Sequence, residues 1–147
     1  MNGTPAPLED IKVNVKIKLS ALWAVLMFLY AYGDVFGFFR QDVLNAVKAG
    51  RVAGFEINQG FLLAVSIYIL IPSAMVFLNL LIKAQLSRWL NLILSVIYLI
   101  TIVLSAIGES WAYYIFLTVA ESVVTVLIAW HAWRWPRLDR ATSSKIA

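Results

Sequence analysis

Four long apolar segments alternate with short polar connections along the chain. They cover about residues 19–39, 60–82, 89–108 and 111–133. A helix needs roughly 20 apolar residues to cross the hydrocarbon core of a bilayer, and each segment reaches that length. The pattern therefore predicts an all-α fold, a single membrane domain built as an integral membrane four-helix bundle.

The first segment follows three lysines, as the core of a signal peptide would. Its apolar region is longer than such a core, however, and no small-x-small cleavage motif follows it. We therefore expect it to be a retained span.

The basic residues are unevenly divided between the two ends of the predicted spans. The side that carries both termini has nine: Lys12, Lys16, Lys18, Lys83, Arg88, Arg134, Arg137, Arg140 and Lys145. The opposite side has three, all in the first loop: Arg40, Lys48 and Arg51. Lysine and arginine accumulate on the cytoplasmic side of membrane proteins. We therefore expect both termini in the cytoplasm and, in a bacterium, a multi-pass protein of the inner membrane.

The first external loop, residues 40–59, is too long for a simple turn. Its segment "QDVLNAVKAG" places Val43, Leu44 and Val47 on one helical face and ends at Gly50, a typical helix stop. This pattern predicts a short helix. The helix either lies in the outer membrane interface or is an ordinary amphipathic connector between two spans. The tail over residues 137–147 is predicted to be disordered.

Polar and small residues recur within the spans at helical spacing. Residues three, four and seven positions apart share one face of a helix. The four sets are Ser20, Ala24, Ala31 and Asp34; Gln59, Ser66 and Ser73; Asn91, Ser95, Tyr98 and Ser105, extending to Glu109; and Tyr114, Thr118, Glu121 and Thr125. A bundle turns such faces away from lipid, so we expect all four to point inward.

The acidic residues of the spans lie in the predicted outer half of the bilayer. At 1.5 Å per residue, Asp34 lies about 22 Å from the cytoplasmic end of its span and Glu121 about 15 Å from the outer end of its own. This asymmetry predicts a polar cavity that opens outward, with Glu121 at its floor. The candidate lining residues are Asp34, Gln59, Tyr98, Glu109, Tyr114, Thr118 and Glu121. Arg40 and Arg51 are candidate partners for the outer acids.

Asp34 stands out within the apolar and aromatic run "LYAYGDVFGFF", residues 29–39. A carboxylate at the bilayer centre costs about 2.5–3.5 kcal/mol on insertion scales, so exposure to lipid is unfavourable and a bundle-facing, functional group is the usual explanation. Gly33 and Gly37 flank it at four-residue spacing and predict close approach of another helix. The alternative is that the glycine pair is only a packing notch.

Composition removes several kinds of chemistry. Hydrophobic residues make up 62% of the 147 positions and charged residues 14%, and there is no cysteine and a single histidine, His131. Thiol chemistry, iron–sulfur clusters and histidine-based metal centres are thereby excluded for one chain, so we expect no metal and no cofactor. The net charge of +4 does not indicate nucleic acid, because the basic residues stand at span ends. The expected partners are the lipid bilayer, an unidentified small molecule or ion, and possible second copies of the chain in a homodimer.

Several strings occur together in order: "VKIKLSALW", "FEINQGFLLA", "IPSAMVFLNL", "RWLNLILSVIY", "GESWAYYIF" and "AWRWP". Over about residues 10–136 the chain resembles a family of small bacterial four-span membrane proteins that is catalogued as a domain of unknown function. The resemblance implies an architecture broadly similar to that of DoxX-like proteins. It implies no activity and no catalytic residue.

Three functional hypotheses remain open from the sequence. In the first, the protein binds a proton, cation or small solute in the acidic cavity or moves it through the membrane. In the second, it is an intramembrane enzyme that acts on a lipid-like substrate. In the third, it is a non-catalytic partner subunit. In the enzyme hypothesis Glu121 acts as the acid with Tyr98, Tyr114 or Asp34 assisting. An enzyme predicts acids that converge within hydrogen-bond reach of an apolar, lipid-accessible pocket, whereas a partner subunit predicts satisfied polar groups and no cavity.

Overall fold

The computed structural model describes residues 11–136. Four long helices, each apolar and long enough to cross a membrane, account for most of this range. They are α1 (Val15–Gly37), α3 (Gln59–Leu81), α4 (Ala84–Ser105) and α5 (Ala112–Trp133). The predicted all-α membrane bundle with four spans is confirmed. The predicted disordered tail, residues 137–147, lies outside the described residues.

Asparagine side chains define where two of the spans begin. Asn14 Oδ1 accepts a hydrogen bond from the backbone N–H of Lys16 at 2.9 Å, and Asn58 Oδ1 accepts one from that of Phe61 at 2.9 Å. Such caps satisfy the free N–H groups of a first helical turn. Because Asn14 caps it, α1 begins four residues before the predicted apolar limit.

The connection between α1 and α3 contains helix α2 (Gln41–Lys48) and a small antiparallel hairpin, β1 (Arg51–Val52) and β2 (Phe55–Glu56). The predicted loop helix is confirmed, and Gly50 follows it with a φ of 74°, as expected of a helix stop. The hairpin was not predicted. Its turn residues Ala53 and Gly54 both have positive φ, 49° and 83°, as tight hairpin turns require.

Helix α1 packs against both α3 and α5, and α5 packs against α4, whereas the backbones of α3 and α4 approach each other at few points. The buried apolar core comprises Leu19, Trp23, Leu26, Met75, Tyr98, Ile102, Ile128 and Ala132. Large apolar side chains remain exposed around the whole bundle. A lipid-facing surface has this character, since hydrocarbon solvates apolar side chains.

A buried polar network, here called the asparagine network, joins three helices in the half of the bundle nearer the chain termini. Asn91 on α4 accepts a hydrogen bond from Trp23 Nε1 on α1 at 2.7 Å. Its amide nitrogen donates to Asn79 Oδ1 on α3 at 2.5 Å, and Ser87 Oγ donates to the same oxygen at 2.8 Å. Each of these side chains is fully buried, so the network specifies how α1, α3 and α4 meet.

The predicted polar face of the second span does not point inward. Gln59, Ser66 and Ser73 are all exposed on the outside of α3, and that expectation was wrong. Ser66 Oγ and Ser73 Oγ each donate to a carbonyl four residues earlier in their own helix. Since these hydroxyls are satisfied locally, nothing forces them into the bundle. Pro72, Met75 and Asn79 form the buried face instead.

Candidate functional site

A cavity of about 290 Å³ lies between the four long helices. Its lining comes from the last turns of α1, the first half of α3, the last half of α4 and the first half of α5. It therefore occupies the half of the bundle on the side of α2, away from the chain termini. This is the half in which the sequence placed a polar cavity.

Two carboxyl groups line the cavity, Asp34 from α1 and Glu121 from α5. Glu121 is only 9% exposed, whereas Asp34 is exposed and lies near the end of its helix. Within residues 11–136 neither carboxyl makes a hydrogen bond, and no lysine, arginine or histidine contributes to the lining. The carboxyl oxygens of Glu121 are not among the fully buried unpaired atoms of the described residues, so this carboxyl group is open to the cavity and not enclosed by packed protein.

Three hydroxyl groups, those of Thr101, Tyr68 and Tyr30, follow one another along one wall of the cavity. Thr101 Oγ1 donates to the carbonyl of Tyr98 at 2.9 Å and lies 2.7 Å from Tyr68 Oη. Since the threonine proton is already used, Tyr68 is the donor to Thr101. Tyr30 Oη lies 3.4 Å from Tyr68 Oη, a longer contact in which Tyr68 accepts. These hydroxyl groups link α1, α3 and α4 across the bundle.

Four of the seven predicted lining residues meet at this cavity: Asp34, Tyr114, Thr118 and Glu121. Tyr98 lies directly behind the wall, where its ring centroid is 4.7 Å from that of Tyr68 and its hydroxyl donates to the Tyr68 carbonyl at 2.5 Å. It belongs to the buried core rather than to the lining. The other two residues, Gln59 and Glu109, also lie outside. Gln59 is exposed at the start of α3.

Glu109 is held instead in an ion-pair cluster at the predicted outer end of the bundle, here called the Arg40 cluster. Arg40 Nη1 donates to Glu109 Oε2 at 2.8 Å and Nη2 to Asp42 Oδ2 at 2.7 Å. The guanidinium carbon also lies 4.7 Å from the Trp111 ring centroid, within cation–π range. Of the two candidate arginines, Arg40 is the one that pairs with an outer acid within residues 11–136.

The charges of the Arg40 cluster stabilise one another. Hydrogen bonds with Asp42, and next with Glu109, hold the pKa of Arg40 above its usual range. The same hydrogen bonds hold the pKa values of Asp42 and Glu109 below theirs. Glu109 also accepts from the backbone N–H groups of Ser110 and Trp111. Its hydrogen bond from Arg40 fastens the α1–α2 junction to the α4–α5 turn, and its other two bonds lie within that turn. The prediction that Glu109 faces the cavity was wrong.

The two glycines flanking Asp34 differ in what they face. A Cβ atom added to Gly33 would lie 3.6 Å from Leu117 Cδ1 on α5, whereas one added to Gly37 would meet nothing within 4 Å. Gly33 thus lies where α1 and α5 approach each other, and it also lines the cavity. A distance of 3.6 Å is an ordinary van der Waals contact, so the close approach of another helix at Gly33 stays a prediction, and Gly37 faces open space.

Three polar residues of the lining, Tyr30, Tyr68 and Thr101, were not among the polar residues that the sequence singled out. Tyr30 lies four positions before Asp34, so the helical spacing already placed both on one face. Thr101 lies three positions after Tyr98 on the polar face of α4. Tyr68 carries no such signal, because it lies off the serine face of its helix.

Taken together, the fold and the cavity define a multi-pass helical membrane protein with a polar chamber between its spans. The chain belongs to a family of unknown function (DUF6326), whose model matches residues 9–142. No curated protein and no solved structure matches the chain. The predicted membership in a family without an assigned activity is confirmed, and the similarity to DoxX-like proteins stays a prediction.

Proposed function

We propose that this protein binds a proton, a cation or a small cationic solute in the cavity that Asp34 and Glu121 line, and that it moves this cargo from the outer side of the membrane. The single observation that supports the proposal is the state of Glu121. The residue is only 9% exposed, it lines the cavity, and no other described residue donates a hydrogen bond to its carboxyl group. An ionisable group held inside a membrane bundle marks an ion or proton pathway as its default role.

The residues that line the cavity determine which charge a bound ligand should carry. With two carboxyl groups and no basic side chain among the described lining residues, an anion would meet only repulsion. A proton or cation would neutralise Glu121 and lower the cost of holding an unpaired carboxylate inside a membrane bundle. The cavity thus favours positive charge on electrostatic grounds.

The two other hypotheses fit the cavity less well. A partner subunit predicts satisfied polar groups and no internal space, whereas here a cavity contains two carboxyls without protein partners. The enzyme hypothesis has Glu121 as the acid with Tyr98, Tyr114 or Asp34 assisting. Asp34 and Glu121 do line one cavity, but within residues 11–136 no hydrogen bond joins Glu121 to any of these three side chains.

The proposal includes a setting for the chain. It lies in the inner membrane of a bacterium with both termini in the cytoplasm, α2 rests in the outer interface, and the architecture is broadly DoxX-like. Its apolar outer surface also permits a homodimer. The supporting observation is the asymmetry of the lysines and arginines.

The test is flux into proteoliposomes that contain wild type, Glu121→Gln, Asp34→Asn or Glu56→Gln. Glu56 is the matched control, because it is an exposed carboxylate in β2 that does not line the cavity. We expect proton or cation flux in wild type and in Glu56→Gln, a reduced flux in Asp34→Asn and none in Glu121→Gln. Equal flux in all four preparations, with no lipid found by mass spectrometry of the purified protein, would leave the partner-subunit hypothesis standing.

A further inference from the structure

Resting on the proposed function, we infer that the ligand of the cavity is a small organic amine in its protonated form, with an ammonium group that meets Glu121 and an alkyl group that meets the aromatic and aliphatic wall. The inference comes from the size of the cavity, its aromatic rings and the direction of its hydrogen bonds. The size and the aromatic rings favour an organic ammonium ion over a bare metal cation, and the direction of the hydrogen bonds favours it over a neutral molecule of the same shape.

The cavity is poorly built for a metal ion. Hard cations such as Ca²⁺ take six to eight oxygen ligands at 2.3–2.6 Å, and residues 11–136 contain no group of three or more acidic, histidine or cysteine side chains that would converge on one ion. Its volume of about 290 Å³ is instead at the lower end of the range for small-molecule pockets. A molecule of several heavy atoms fits it better than a single ion.

The apolar part of the lining suits an alkyl group beside a positive charge. Tyr30 and Tyr68 line the cavity with their rings stacked, 6.4 Å between centroids and 21° between planes. Val65, Ile69 and Leu117 add aliphatic surface. The faces of aromatic rings attract ammonium groups, and more strongly where water is excluded.

Two of the lining hydroxyls, those of Thr118 and Ser105, present acceptors to the cavity rather than donors. Thr118 Oγ1 donates its proton to the Tyr114 carbonyl at 2.9 Å, and Ser105 Oγ donates to the Ile102 carbonyl at 2.8 Å. Only the lone pairs of these two hydroxyls remain for a ligand. Together with the carboxylates they form a surface that accepts hydrogen bonds, and the complementary ligand is one with N–H donors.

The experiment compares two probes of one shape by calorimetry at pH 7 on the purified protein. 3-Methylbutylamine is an ammonium ion at this pH, as lysine is, whereas 3-methylbutan-1-ol is its neutral counterpart. We expect the amine to bind at least tenfold more tightly than the alcohol, and to lose at least tenfold in affinity in Glu121→Gln. Equal binding of amine and alcohol, or no binding of either, would overturn the inference.

A pair of variants tests the aromatic wall without depending on the fold of Glu121→Gln. Tyr30→Phe keeps the ring and Tyr30→Leu removes it, while both lose the hydroxyl. We expect amine affinity to be about 2- to 30-fold weaker in the leucine than in the phenylalanine variant, the range of a cation–π contact. Equal affinity in the two variants would contradict the aromatic part of the inference.

Sodium chloride titration and proton uptake on the same samples separate this inference from the proposed function. If wild type binds sodium or protons in a Glu121-dependent way but does not distinguish amine from alcohol, the organic ligand is wrong and the cation cavity stands. If Glu121→Gln changes neither amine binding, sodium binding nor proton uptake, both the inference and the proposed function fail.

Discussion

The hydroxyl of Tyr98 on α4 donates to the backbone carbonyl of Tyr68 on α3 at 2.5 Å. That carbonyl would accept from the N–H of residue 72 in a regular helix, but residue 72 is Pro72, which has no N–H. The side chain of one span thus replaces a backbone hydrogen bond missing from another. This bond lies directly behind the cavity wall and fixes Tyr68, one of its lining residues.

Tyr98→Phe is expected to destabilise the protein because it leaves this buried carbonyl without a donor. The cost is about 1–3 kcal/mol of unfolding free energy. In a Pro72→Ala background the helix supplies its own N–H, and the same substitution should cost clearly less. The measurement is a double-mutant cycle of denaturant unfolding in detergent. Additive effects would show that the Tyr98 hydroxyl does not serve this carbonyl.

Asn91→Leu removes the acceptor of Trp23 Nε1 and is expected to cost about 1–3 kcal/mol, since the indole N–H is then buried and unpaired. Trp23→Phe removes the donor instead. In the Asn91→Leu background, Trp23→Phe should lower the stability by less than it does in wild type, because the indole N–H and the Asn91 oxygen are each other's hydrogen-bond partner. Gln85→Leu, at an exposed position of α4, is the control. Thermal unfolding of the four variants measures the coupling, and independent effects would contradict a shared network.

Acid is expected to weaken the Arg40 cluster. The pKa of Glu109 is lowered in the folded chain from an ordinary value of 4.5, so the ionised carboxylate stabilises the fold above that pH. This contribution is lost as the pH falls below about 4.5 and through the folded value.

Glu109→Gln should therefore be less stable than wild type at pH 7 and should lose less further stability on acidification. The measurement is the melting temperature between pH 7 and pH 3, with Glu56→Gln as the control that keeps the wild-type profile. Parallel profiles for Glu109→Gln and wild type would show that the ion pair contributes nothing.

Gly33→Leu and Gly37→Leu form a matched pair at the two ends of the small-residue spacing. The first places a side chain between α1 and Leu117 at the edge of the cavity, whereas the second places it in open space. We expect Gly33→Leu to abolish amine binding or flux and Gly37→Leu to leave both within about twofold of wild type, since exposed substitutions change little. Calorimetry checks this, with melting temperatures confirming that both variants fold. Loss of binding in Gly37→Leu alone would place the cavity elsewhere.

The sequence predicted the fold through length and hydropathy, because a segment of some 20 apolar residues has few alternatives to a membrane helix. It also predicted that Asp34, Tyr114, Thr118 and Glu121 would gather, since helical spacing alone puts the last three on one face. Glu109 illustrates the limit. Its sequence position continues the polar face of α4. The direction of its carboxylate, however, is decided by the ion pair with Arg40, which lies 69 residues away in sequence.

The face of α3 could not be predicted in the same way. Ser66 and Ser73 suggested an inward stripe, but a serine that bonds its own helix has no preference for the interior. The contribution of Tyr68 depends on the three-dimensional meeting of α3 with α4, which no local pattern encodes.

The central claim, an outward-facing cavity that prefers positive charge, is tested most directly by thiol labelling. The chain contains no cysteine, so Thr118→Cys introduces a single thiol into the cavity, and Phe116→Cys on the exposed face of α5 is the control. Two membrane-impermeant methanethiosulfonates, one with a trimethylammonium and one with a sulfonate group, are applied from the outer side.

The rate ratio of the cationic to the anionic reagent is compared with the ratio for free cysteine. At Thr118→Cys we predict a ratio at least about tenfold above that of free cysteine, because acidic clefts concentrate cations by such factors, and a return toward the free value when Glu121→Gln is added. A ratio equal to that of free cysteine, or labelling from the cytoplasmic side alone, would contradict the account.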